Sequence, residues 1–139
     1  MENKMVRAWV VLGMLLCAGG AQAAVGGRYV SPLGDITLKQ KGKKITGVMA
    51  DAHGPCGFKK GQEVLKGTLM DDSVTGELTI CSEGSGCGTQ KVFVVLLVAR
   101  KGELLSGAVH SKKAQCKLPL GGKGIALARA PSGGKGKTE

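Results

Sequence analysis

Along most of this chain, apolar and polar residues alternate with a period of two. Asp35 to Gln40, DITLKQ, puts Ile36 and Leu38 on one face, and Lys44 to Ala50, KITGVMA, does the same with Ile45, Gly47 and Met49. Glu63 to Leu69 aligns Leu65, Gly67 and Leu69, and Val74 to Cys81 aligns Val74, Gly76, Leu78 and Ile80. Successive side chains of a strand point to opposite faces, so each segment is predicted to be a half-buried strand. Arg28-Tyr29-Val30 predicts a short first strand and Gly124 to Ala130 a last one. Lys91 to Val109 stands apart: an apolar run, Val92 to Ala99, then a polar break at Arg100-Lys101-Gly102-Glu103, then a second run from Leu104 to His110. Two such runs around a Gly-containing break predict a hairpin. Because Val92–Ala99 is apolar at every position, it is expected to be a central strand covered on both faces. No segment has the apolar spacing, caps and length of a helix.

Three segments share the pattern apolar, polar, Gly, any, apolar: Ile45 to Met49, Val74 to Leu78 and Leu105 to Val109. A polar turn precedes each at the same offset, and the glycines recur about every thirty residues, as in hairpins placed in series. These glycines lie on apolar faces, where a sharp bend of a closing sheet or a large neighbour would call for them. The fold class is therefore all-β, an antiparallel up-and-down meander of about eight strands closing into a small barrel, with a β-sandwich as the alternative.

The N-terminus predicts something else. Met1–Arg7 carries Lys4 and Arg7, Ala8 to Ala18 is apolar and uncharged, and Ala21-Gln22-Ala23 supplies small residues. Those parts in that order make a secretory signal peptide over 1–23, cleaved after Ala23 and too short to span a bilayer. A single barrel domain over 24–130 follows, then a basic tail, 131–139, without periodicity and expected to be disordered. No later stretch reaches the ~18 apolar residues of a spanning helix. The short leader suits a bacterium and predicts a destination in the periplasm or the medium.

Removing the leader discards Cys17 and leaves Cys56, Cys81, Cys87 and Cys116. Four cysteines in a short exported chain predict two disulfides, with three pairings open. Zinc fits poorly, since no C-x2-C pair occurs, and no metal or other cofactor is expected.

Connections alternate between the two ends of a meander. The long ones, Asp51–Gly61, Ser82–Gln90 and Ser111–Lys123, are therefore expected at one end with all four cysteines, His53 and His110. Net charge is +10, of which the mature chain keeps about +9, an excess that favours anionic partners. Lys59, Lys60, Lys112, Lys113, Lys117 and Lys123 fall at the long-loop end against few acids, notably Asp51 and Glu83. Loops on a rigid scaffold are where binding usually resides. The candidate binding residues are Phe58, Lys59, Lys60, Lys112, Lys113 and Lys117, with Phe58 either plugging the barrel or anchoring a partner.

Catalytic constellations are missing. No G-x-S-x-G elbow occurs, the Asp71-Asp72 carboxylates are adjacent in a turn, and His53 with Cys56 is a weak pair, so no enzyme is expected. Nucleic acid is not expected either, because only Tyr29, Phe58 and Phe93 remain as aromatic platforms. The strand plan, size and export resemble the calycins, the lipocalins and avidins with related secreted protease inhibitors. Those families tend to open on a Gly-x-Trp strand, here Gly27-Arg28-Tyr29, and lipocalins tend to place an Arg of the last strand beside that aromatic, a part Arg129 would take. The resemblance implies a closed barrel and carries over no ligand residues. The function these features imply is an exported, non-catalytic protein that binds an anionic envelope component or a protein through its basic loop end. A carrier of an apolar small molecule, a protease inhibitor and a structural envelope protein are the alternatives.

Overall fold

The computed structural model describes residues 24–51, 54–109, 115–118 and 124–132. The leader, 1–23, and most of the tail, 133–139, lie outside the described residues. Eight antiparallel strands follow one another around a closed barrel, each paired with its neighbours in sequence and the last with the first. They are β1 (Gly27–Val30), β2 (Ile36–Lys41), β3 (Lys44–Met49), β4 (Glu63–Met70), β5 (Ser73–Ser82), β6 (Gly88–Ala99), β7 (Leu104–Ala108) and β8 (Gly124–Arg129). A 3-10 turn, Arg100–Gly102, joins β6 to β7. The meander and its closure are as the alternation predicts, and the sandwich alternative falls away. The second long connection is shorter than expected, because β5 runs through Ser82 and β6 begins at Gly88.

The inward parity of every strand fills the barrel. Tyr29, Ile36, Leu38, Ile45, Leu69, Val74, Leu78, Ile80, Leu96, Leu105 and Leu127 are all within 1% of complete burial. Burial of that apolar surface is the main stabilising contribution, about 1.5–3 kcal/mol for each large side chain. Between Gly47 and Val48 the β3–β4 register shifts by a bulge, which turns both Val64 and Leu65 inward.

Two glycines of the repeat show what closure requires. A Cβ on Gly76 would overlap the Lys66 carbonyl oxygen of β4, and one on Gly107 would overlap the Val95 carbonyl oxygen of β6. Neighbouring backbones approach at these points because the sheet bends sharply there, and only glycine leaves the room.

One expectation is corrected. Val92–Ala99 is not covered on both faces. Val92, Val94 and Leu96 enter the core, but Phe93, Val95 and Leu97 are 67%, 41% and 61% exposed. A closed single-sheet barrel has a packed inside and no second layer, so an apolar outer face stays in water.

Candidate functional site

The Ser31–Asp35 turn and the described parts of the three long connections lie at one end of the barrel, and the tight turns lie at the other. Each of the three repeated hairpins is clamped at its open, long-loop end. Cys56–Cys81 closes the β4–β5 hairpin, and Cys87–Cys116 closes the β6–β7 hairpin. The β2–β3 hairpin has no cysteines. There Arg28 Nη2 donates to Asp35, just before β2, and to Asp51, just after β3, at 2.6 Å each. The two carboxylates hold the Arg28 guanidinium above its ordinary range, the Asp35 hydrogen bond first and the Asp51 charge next. The Ala50 N–H donates to the Asp35 carbonyl at 2.8 Å and completes that clamp.

The loops are further fixed to one another. Glu83 and Lys117 exchange both backbone hydrogen bonds, Glu83 N–H to Lys117 O at 2.8 Å and Lys117 N–H to Glu83 O at 3.0 Å, as a small two-residue ladder. The first loop is tied to β3 through Gly61 N–H to Met49 O at 2.8 Å and Met49 N–H to Gln62 O at 2.9 Å. Inside this end, Leu33 and Phe58 are buried and Cys56 and Leu118 pack against the core.

The candidate residues therefore divide. Lys59, Lys60 and Lys117 are exposed on the clamped loops, and among the described residues no carboxylate forms an ion pair with any of them. Of the nearby acids, Asp51 is taken by Arg28, while Glu83 meets Lys117 through backbone bonds only and Glu63 begins β4. Phe58 takes the plugging option and leaves the binding set: at 4% exposure it packs into the core and offers no surface to a partner. Its apolar ring follows Cys56 into the core because the disulfide pulls the loop across the opening. Lys112, Lys113 and Lys123 lie outside the described residues, as do His53 and His110. Among the described residues, no His, Cys, Asp and Glu side chains gather as a metal site.

The opposite end is a structural closure. Residues Ala24–Gly26 cross it as a strap, with Val25 fully buried and its N–H donating to Gln40 Oε1 at 2.9 Å. Arg129 holds the strap: Nη1 donates to the Gly26 carbonyl at 2.7 Å and Nη2 to the Ala24 carbonyl at 3.0 Å. The same guanidinium lies 5.0 Å from the Tyr29 ring centroid and donates to the Tyr29 hydroxyl at 2.9 Å. That hydroxyl donates in turn to the Gly102 carbonyl at 2.6 Å. Arg129 Nε sits 3.2 Å from Glu103 Oε1, near enough to pair in charge but outside hydrogen-bond geometry. Burial raises the Tyr29 phenol above its ordinary value of 10.0, ahead of the opposing Arg129 charge.

Two surfaces escaped the sequence reading. Lys39, Lys41, Lys44 and Lys66 stand on the outer wall of β2–β4, where Lys41 and Lys44 face each other in register. Their parity opposes that of the core residues, which was the available signal. The second surface is the exposed face of β6. Cavities of about 130 and 510 Å³ lie on the outer wall of β3–β6. The two disulfides fit an oxidising, exported setting, and no helix among the described residues is long and apolar enough to cross a membrane. No family model, curated protein or solved structure matches the chain.

Proposed function

We propose that the protein is an exported, non-catalytic binding module of a bacterial envelope. Its clamped loop end contacts an anionic envelope component or an acidic face of a protein. The observation that carries this is Lys59, Lys60 and Lys117, exposed and without an ion pair among the described residues, on loops pinned by both disulfides and by the Glu83–Lys117 ladder. Pinned loops lose little freedom on binding, so less of the attraction is spent on ordering them. Cations without internal partners keep their full charge for an incoming anion, and the mature net charge of about +9 steers it there.

The carrier alternative finds less support. Leu38, Leu78, Leu96 and Leu105 occupy the interior, and Leu33 and Phe58 close its mouth. An apolar fluorescent probe is expected to stay in water when mixed with the protein.

The binding function is tested by capture of envelope glycans and proteins on the immobilised mature chain. Retention is expected to weaken steeply with salt and to be lost in Lys59→Glu/Lys60→Glu. Reversal of Lys41 and Lys44 on the far wall is the control and leaves it intact. Retention unchanged by reversal at the loop end overturns the proposal.

A further inference from the structure

At the tight-turn end of the barrel, three rows of the outer wall, from β4 across β5, β6, β7 and β8 to Val30 of β1, carry no ionic side chain. Strand register sorts it into rows. One row runs Met70, Ser73, Leu97, Ser106 and Ala126. The next runs Ala99, Leu104, Ala128 and Val30, and on the other side lie Thr68, Thr75 and Val95. Charge returns one row further, where Lys66, Glu77 and Phe93 are in register, and at the β3 border, where Lys44 pairs with Thr68. Beside the exposed β6 stripe, Met70 is 59% and Val30 50% exposed. Single exposed apolar residues are ordinary. Five on one wall leave on the order of 500 Å² of apolar surface in water, the size of the largest patch on a typical monomer, which is often functional.

We propose that two copies of this chain meet on this wall, in a weak two-fold dimer centred on Val95. Three observations select a second copy as the occupant. First, β8 closes onto β1, so among the described residues the ring has no edge strand to extend and copies meet by their faces. Second, each mature chain carries about nine net positive charges. The β2–β4 wall and the loop end would set lysine against lysine, whereas the β6 wall brings no cation to its centre, where Glu77 beside Phe93 is the nearest charge. Its rim is mixed, with Lys44, Lys66, Lys91, Arg100 and Lys101 against Asp71, Asp72, Glu77 and Glu103. A mixed rim suits another mixed rim, while an anionic bilayer calls for a rim of one sign. Third, the area sets the strength. Two convex walls touch over about three strands, which keeps burial below the ~800 Å² per partner of a standard interface. The contact is therefore micromolar and reversible. A self-complementary patch closes at two copies, and both loop ends stay free because the wall lies on the barrel's side.

Sedimentation of the mature chain between about 1 and 500 μM tests this. The weight-average mass is expected to climb from one copy to two and stop there. Phe93→Glu and Leu97→Glu are each expected to weaken dimerisation at least about tenfold, and Phe93→Ser/Leu97→Ser does so without an added charge. These side chains already stand in water, so the fold persists, checked by the thermal unfolding transition. Lys59→Glu/Lys60→Glu leaves the dimer unchanged. Added salt leaves it unchanged or tightens it by screening repulsion, the opposite of its effect on anion binding. A monomer at every concentration overturns the proposal, as does a dimer indifferent to Phe93 and Leu97 or assembly beyond two copies. A monomer that co-sediments with anionic vesicles and loses them on Phe93→Glu assigns the wall to lipid and also overturns it.

Discussion

Tyr29 is the single tyrosine of the chain, so its phenolate absorbance reports one defined site in the buried closure. Burial raises its pKa above 10.0, which means the folded state keeps the proton that the unfolded chain releases. The stability this provides is intact below pH ~10 and is lost as pH rises from there through the folded pKa. Spectrophotometric titration is expected to give a midpoint above that of the unfolded chain in denaturant. Tyr29→Phe removes the bond to Gly102 and one acceptor of Arg129, and is expected to cost about 1–2 kcal/mol in denaturant unfolding. Gly76→Ala places a methyl against a backbone carbonyl that cannot swing aside, with an expected cost of roughly 2 kcal/mol or more. The alternation of apolar residues made Gly76 visible as an inward position. The reason only glycine fits there lies in the neighbouring strand, out of reach of a local pattern.

At the scale of the hairpin, the repeat explains where the clamps fall. Each unit has a tight turn at one end and needs something to hold its two strands together at the other. Two units use a disulfide and the first uses Arg28 between two aspartates. Serine replacement of Cys87 and Cys116 releases a 29-residue separation and is expected to cost about 3–4 kcal/mol. The Arg28 clamp is solvent-exposed, 52% at the arginine side chain, so its contribution is smaller and falls with salt. Hydrogen exchange is therefore expected to show the open end of β2–β3 exchanging faster than those of β4–β5 and β6–β7, and reduction is expected to abolish the difference. The hairpins, their order and the gathering of cysteines at one end were legible from period and spacing. The pairing was not, because three connectivities share one spacing. For Phe58, plug and anchor were both open, because a loop residue has no periodicity to give its direction.

For the molecule as a whole, the closed meander was legible from strand count and short connections. The bare outer face of β6 was not, because a run apolar at every position looks the same in a layered sheet and in a barrel wall. Closure itself depends on a short joint. β1 and β8 share two register pairs, Tyr29 with Arg129 and Val30 with Ala128, where β5 and β6 share ten. Arg129 reinforces that joint by binding both the strap and the tyrosine across it. Truncation after Leu127 would remove the fastening and turn a ring into an open sheet with two bare borders. Such borders recruit foreign strands, so the shortened chain is expected to precipitate or form fibrils, visible as light scattering on refolding. A handful of atoms at the far C-terminal stave thus stands between a closed cylinder and an aggregate.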